Sequence, residues 1–439
     1  MATNPVLDAS NLTTSPTAAE ALEKWYKANP PVAEANPNPR DVSRAELYSK
    51  DLWRAPFAEM RANAPINKVE DSAYGAYWNI CNHKAIQHIE ALPDIYSSDV
   101  DIGGITIADR REDDDSDFQL PMFIAMDRPK HTGQRRTVAP AFTPTEMKRM
   151  EDEIRHRTAE VLDGLPWDEE FDWVDRVSIE LTTGMLAILF GFPWEDRRLL
   201  TFWSDWAGDV ELSLAAELDE KRRQILLEMG AYFQQLWNER VNAEPTPDLI
   251  SMMIHSEAMK DMDHFEFIGN LVLLIVGGND TTRNTMSGLA YGLDQFPDQR
   301  KKLQENPDLI PNAVQEIIRW QTPLAHMRRT ALEDADLFGH QIKKGDKLIM
   351  WYISANRDES VFENADQIDI ERENARRHLA FGYGIHRCVG ARLAELQIRI
   401  LMEEMAKRRM QVNVTGEVKR VHACFVHGFR KMQVKLSKY

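Results

Sequence analysis

From Pro144 to about Trp320, apolar residues recur at three- and four-residue spacing in MKRMEDEIRHRTAEVLDGL, VSIELTTGMLAILFGF and KRRQILLEMGAYFQQLWNERV, which predicts a succession of helices. A further helix is predicted from Phe265 to about Leu293 and a last long one over Gly390–Lys407. The β signals are short and lie to either side of this body. Bulky residues cluster in Ala76–Cys81, and the run LFGHQIKKGDKLIMWYI reads as strand-like pieces with Lys344-Gly345-Asp346 as the turn of a hairpin. VHACFVHGFRKMQVKL closes the chain as β. The pattern predicts a predominantly α protein with small β-sheets.

Residues 1–40, rich in Pro, Asn, Thr and Ser, read as a flexible, poorly packed N-terminal arm. Asp94–Met126 lacks steady periodicity and carries Gly103-Gly104, an acidic run from Glu112 to Asp117 and apolar Leu120–Ile124, so it is expected to be a long loop or lid. With 53 Lys+Arg against 70 Asp+Glu the formal charge is −17, which argues against a nucleic-acid or acidic-membrane footprint. The apolar runs fall short of the ~20 residues that a bilayer crossing needs, and the start has neither a cationic head nor an apolar stretch. Three cysteines are too few for a disulfide scaffold. A cytoplasmic location is the expectation.

Two segments carry chemistry. The loop Phe381-Gly-Tyr-Gly-Ile-His-Arg-Cys388-Val-Gly390 presents a cysteine just ahead of a helix start, where the dipole and unpaired N–H groups favour a thiolate suited to a soft metal. Cys81 and Cys424 read instead as buried hydrophobes. In the helix beginning at Phe265, Gly277-Gly278-Asn279-Asp280-Thr281-Thr282 interrupts an apolar run, and each glycine costs about 1 kcal/mol relative to alanine. Either the helix kinks there or the residues serve a function.

The cysteine loop matches the haem-binding loop of cytochromes P450 at Phe381, Gly382, His386, Cys388 and Gly390, and the chain resembles that family over roughly residues 45–435. The resemblance implies the cytochrome P450 fold, a helix-rich lobe and a β-rich lobe around a buried haem, with residues 41–439 as a single haem domain. It implies haem b with the Cys388 thiolate as iron ligand, and O2-dependent monooxygenation. Asp280 and Thr281 then take the place of the family's acid-alcohol pair for proton delivery. His131, Arg135, His386 and Arg329, favoured over Arg328 by register from Gly339, become the propionate contacts. Glu316 and Arg319, completed by Arg372, match a buried folding network. Glu359 and Ala365 depart from the pattern, standing where proline is common, and so does Arg128, where an apolar proline is expected.

PMFIAMDRPKH, GGNDTTRN, PLAHMRRTA and HLAFGYGIHRCVG most resemble the soluble bacterial P450s that hydroxylate terminal carbons of medium-chain alkanes and fatty acids. Leu273, Val276, Leu324 and Phe425 are the corresponding pocket-lining candidates for a small apolar substrate, with ordinary core packing as the alternative. No flavin or nicotinamide signature accompanies the haem motifs. The resemblance therefore implies an iron–sulfur ferredoxin and an NAD(P)H-dependent ferredoxin reductase, landing on Arg376, Arg377, Arg387 and Arg392. A sterol- or terpene-hydroxylating P450 and a non-catalytic haem sensor are the alternatives. A sensor has no need of the acid-alcohol pair.

Overall fold

The computed structural model describes residues 15–29, 38–109 and 118–439. Helix α1 (Ala18–Ala28) precedes α2 (Ala45–Ser49), α3 (Arg54–Asn63), the strands β1 (Ile66–Val69) and β2 (Tyr77–Ile80), helix α4 (His83–Ala91) and strand β3 (Tyr96–Ser97). The helical body comprises α5 (Lys130–Val138), α6 (Pro144–Asp163), the short strand β4 (Phe171–Asp172), α7 (Glu180–Phe190), α8 (Arg198–Gly208), α9 (Ala216–Arg240), α10 (Leu249–Ile254), α11 (His264–Gln295), α12 (Pro297–Glu305) and α13 (Ile310–Gln321). Then follow β5 (Met327–Ala331), β6 (Ala335–Leu337), β7 (His340–Ile342), β8 (Lys347–Met350), α14 (Tyr352–Ala355), α15 (Ala391–Lys407), β9 (Met410–Arg420) and β10 (Phe429–Lys438). No helix among the described residues is long and apolar enough to cross a membrane.

One lobe is built on a five-stranded sheet of order β1-β2-β8-β5-β3, antiparallel except for the parallel β2–β8 pair. The other is helical and packs around α11, whose flanks meet α7, α8, α9, α13 and α15. Most of α11 is buried: its first half is largely apolar, whereas its second half buries Asn279, Asp280, Arg283 and Asn284.

The structure corrects several expectations. The hairpin turn is Phe338-Gly339, both at positive φ (53° and 90°), joining β6 to β7; Lys344-Gly345-Asp346 instead leads into β8, which pairs with β5 in the larger sheet. Two consecutive positive φ values suit the twist of a two-residue hairpin loop. The arm is not uniformly loose: Thr17 caps α1 through a reciprocal capping box with Glu20, and Ala18 and Leu22 enter the main apolar core. The acidic run Glu112–Asp117 lies outside the described residues.

The Glu316 network is complete. Arg319 Nε and Nη2 donate to Glu316 at 2.7 Å each, Arg372 Nε lies 3.1 Å from both carboxylate oxygens, and both Glu316 and Arg319 are fully buried. Arg319 Nη1 donates to the carbonyls of Asn356 and Ala365. The two positions that lack proline are therefore held by side chains: Ala365 by this carbonyl bond, Glu359 by a two-pronged pair with Arg61 at 3.0 and 2.7 Å.

Candidate active site

Helix α11 starts where the Asp263 carboxylate accepts the N–H groups of Phe265 and Glu266, and it continues as one helix through Gly277-Gly278. Leu273, Gly277 and Thr281, spaced four apart, share a face that lines a cavity of about 440 Å3. A Cβ built on Gly277 meets nothing within 4 Å, whereas one on Gly278 would lie 2.6 Å from Leu186 Cδ2. Gly277 thus keeps space in the cavity, while Gly278 allows helix packing. Gly277→Ala is expected to stabilise the fold by about 0.5–1 kcal/mol, the helix preference of alanine, and Gly278→Ala to destabilise it. Paired melting curves check the contrast.

Thr281 Oγ1 donates to the Gly277 carbonyl at 2.7 Å and faces the cavity. Asp280 does not line it, because neighbouring helix residues diverge by about 100°. Its carboxylate accepts from Arg283 at 2.7 Å, and the same Arg283 nitrogen reaches Asp205 at 2.8 Å. Arg430 then joins Asp205 to Asp209, at 3.1 Å each. Burial pushes the Asp280 carboxyl above its usual range; Arg283 opposes this and Asp205 reinforces it.

The cysteine loop is shaped by its own backbone. Cys388 N–H donates to the Phe381 carbonyl at 2.8 Å, and Gly384, at φ +66°, lies so close to the Glu90 carbonyl of α4 that any side chain would collide. Cys388 is exposed and lines the cavity; Cys81 and Cys424 are buried in the sheet-side core and do not line it. The expected lowering of the thiol pKa is not what this environment gives. Burial raises it, opposed by the Gly390 N–H at the start of α15 and by the Arg135 and Arg387 charges.

A cluster of cations and imidazoles surrounds the loop. Arg135 donates to the Arg387 carbonyl, and Arg329 reaches the Arg328 carbonyl at 2.8 Å and Glu90 at 3.5 Å. Both arginines line the cavity; Arg328 does not, being engaged by Asp109. The His131 and His386 rings lie 4.3 Å apart. Ser98 binds His386 Nε2 at 3.0 Å, but His386 Nδ1 and both nitrogens of buried His131 have no partner. Burial, with Arg135, Arg128 and Arg329 nearby, pulls His131 down to about 4. Arg128 itself is exposed and does not line the cavity.

These residues fit haem. A sulfur and the Phe381 ring line the cavity beside it, and two arginines with two unsatisfied imidazoles offer the donors that two buried carboxylates require.

Leu273 and Val276 line one wall of the cavity. Leu324 and Phe425 line another, held together by a bridge between Leu324 and Val426 and by the Ala325 N–H donating to the Phe425 carbonyl at 2.8 Å. Two charged lining residues carry no signal in the sequence. Glu90, buried beside Arg329 and bonded by the Tyr352 hydroxyl at 2.7 Å, is pushed up to about 7 by burial. Arg222, in the first turns of α9, lines the cavity beside Ala207 and Gly208. Both sit in ordinary amphipathic helices, and no local pattern marks either one.

Comparison with known proteins agrees with this geometry. The family model for cytochrome P450 matches residues 115–411. Linalool 8-monooxygenase of Pseudomonas putida is 34% identical over 408 residues, covering 90% of this chain and 98% of that protein. The structure of cytochrome P450-153 from Novosphingobium aromaticivorans superposes with a TM-score of 0.88 at 67% identity, over 91% of this chain and all of the other. CYP153D17 from Sphingomonas sp. PAMC 26605 gives 0.87 at 69% identity, over 91% of this chain and 99% of that one. The chain belongs to the cytochrome P450 family. It is a monooxygenase whose cofactor is haem held by a cysteine thiolate.

Proposed function

We propose that this monooxygenase hydroxylates the terminal carbon of medium-chain alkanes or fatty acids, with residues 41–439 acting as one haem domain and Cys388 as the iron ligand. The observation that carries the reading is the cavity itself. Leu273 and Val276 on one side and Leu324 and Phe425 on the other share it with Cys388 and Thr281, an arrangement suited to presenting a chain end-on. End-on presentation is what terminal oxidation needs, because a methyl C–H bond is stronger than the methylene beside it and position must override reactivity. The methyl-branched lipid omega-hydroxylase of Mycobacterium tuberculosis, 32% identical over 417 residues, supports oxidation at a chain end.

Bound haem supplies dioxygen activation through its thiolate-ligated iron. The protein's own part is to hold and move protons and to exclude water. Arg135 and Arg329 would neutralise the propionates, His131 and His386 would donate N–H groups to them as neutral imidazoles, and Phe381 lines the cavity with Cys388. Thr281, its hydroxyl proton engaged by the Gly277 carbonyl, turns its oxygen lone pairs to the oxygen-binding space as an acceptor that positions the delivered proton. Asp280 takes part as the carboxyl that exchanges protons with water, while the ion pairs Arg283–Asp205–Arg430–Asp209 hold it in place and reach the surface at partly exposed Arg430. Thr281→Ala is expected to bind substrate normally yet yield product per NADH lower by on the order of tenfold or more, with hydrogen peroxide making up the difference. Unchanged coupling in a peroxide assay rejects that role.

Electrons arrive from a ferredoxin and its NAD(P)H-dependent reductase. Arg376, Arg377, Arg387 and Arg392 are all exposed around the cysteine loop and form a basic face on a protein of net charge −17. A second reading, a steroid or terpene substrate, is favoured by the names of two relatives, linalool 8-monooxygenase and the steroid C26-monooxygenase of Rhodococcus jostii, the latter 32% identical. A panel of alkanes, fatty acids, terpenes and steroids, read by spin-state change and product regiochemistry, separates the two. Terminal alcohols from linear alkanes or fatty acids support the first reading; turnover of steroids or terpenes alone rejects it.

A further inference from the structure

The polar groups lining the cavity are unevenly distributed. Glu90, His131, Arg135, Arg329 and His386 cluster around the cysteine loop. Among the described residues, the one charged side chain lining the cavity outside that cluster is Arg222. Its Nη2 donates to the Ala207 carbonyl at 3.3 Å and its Nη1 lies 3.6 Å from Asp219, while Nε is buried without a partner. Asp219 is shared with Arg223, which approaches it more closely, at 2.8 Å. Arg222 thus presents a partly compensated cation to an otherwise apolar space. The cavity wall runs from Arg222 past Ala207, Gly208 and Val276 to Gly277 and Thr281; behind Gly208 lies the Asp280 carboxylate, since a Cβ there would meet Asp280 Oδ2 at 2.7 Å and Val276 Cγ1 at 3.3 Å, and Asp280 itself does not line the cavity.

We propose that Arg222 is a head-group site, its guanidinium taking the carboxylate of a fatty acid whose methyl end lies at Thr281 and Cys388. This deepens the terminal-hydroxylation reading and rests on it: of the two substrate classes, the acid and not the alkane is the one the cavity is built for. A guanidinium in a poorly solvated wall gains two charge-assisted hydrogen bonds from a carboxylate. An alkane leaves the same cation bound only to a carbonyl and a distant, shared aspartate. A site that supplies such donors discriminates against an analogue that lacks the acceptor far more strongly than an apolar wall discriminates between chain lengths. Asp219 is the positioning residue. It holds the guanidinium at the cavity wall without cancelling its charge.

The test uses the haem-loaded protein and three probes of equal chain length: dodecanoate, its methyl ester and dodecane. Affinity is read by calorimetry with spin-state shift in parallel. Arg222→Gln is expected to weaken dodecanoate binding by roughly tenfold or more, the worth of hydrogen bonds to a charged group, and to leave the ester and dodecane little changed. Arg222→Lys should recover part of the loss, and Arg222→Glu should reject dodecanoate while gaining affinity for a fourth probe, dodecylamine. Retention of the carbon monoxide difference spectrum certifies the folded site in each variant. Wild-type protein that fails to bind dodecanoate, equal losses for all three probes, or no loss for any of them overturns the proposal. Regiochemistry is scored separately. Arg222-dependent binding with oxidation away from the chain end sinks terminal hydroxylation and leaves the head-group site standing, whereas terminal alcohol formed with no dependence on Arg222 does the reverse.

Discussion

Cys388→Ala is expected to abolish monooxygenase activity to background and to remove the thiolate-type Soret band of the reduced carbon monoxide complex, while leaving the protein folded. The sulfur opens onto the cavity, so truncating it removes a ligand without emptying a packed core. Cys81 and Cys424 give the opposite result. Both are fully buried among apolar neighbours, and alanine at either position is expected to lower stability through lost packing while the spectrum persists. Absorbance spectra of the three variants, with a denaturation curve for each, separate the roles. A thiolate band surviving in Cys388→Ala would falsify the ligand assignment.

Glu316→Gln is expected to destabilise the protein by about 3–5 kcal/mol, the cost of stranding a buried charge. Arg319, with none of its surface exposed, and Arg372 would both face a neutral amide. Domains hold only about 5–15 kcal/mol in total, so the loss is expected to appear as poor recovery of haem-loaded protein as well as a lower denaturant midpoint. The variant that does fold should keep its spectrum, because Glu316 does not line the cavity. A midpoint equal to that of the unsubstituted protein rejects the structural role.

Much of this was legible in the sequence. Helical periodicity located α6, α9, α11 and α15, since an amphipathic or buried helix of that length leaves a pattern that few other structures share. The cysteine loop and the glycine-rich stretch of α11 stood out because each breaks a local rule without local compensation. Other features have no local signature. The direction of Asp280 depends on which neighbours α11 meets, Asp205 and Arg430 among them, and those come from distant parts of the chain. Lys344-Gly345-Asp346 carries good turn chemistry, but strand pairing assigned the hairpin to Phe338-Gly339, a turn with only one glycine. Arg222 and Glu90 look like the polar faces of ordinary helices until the fold turns them toward a shared interior.

The cysteine loop belongs to neither lobe alone. On one side Glu90 and Ser98 hold it from the region of the larger sheet, and on the other Arg135 and His131 hold it from the helical body. Dividing the polypeptide anywhere between α5 and the cysteine loop would therefore leave neither fragment with a competent prosthetic-group pocket. Pigmentation would return only on reassembly, which makes red colour itself a reporter of whether the halves have joined.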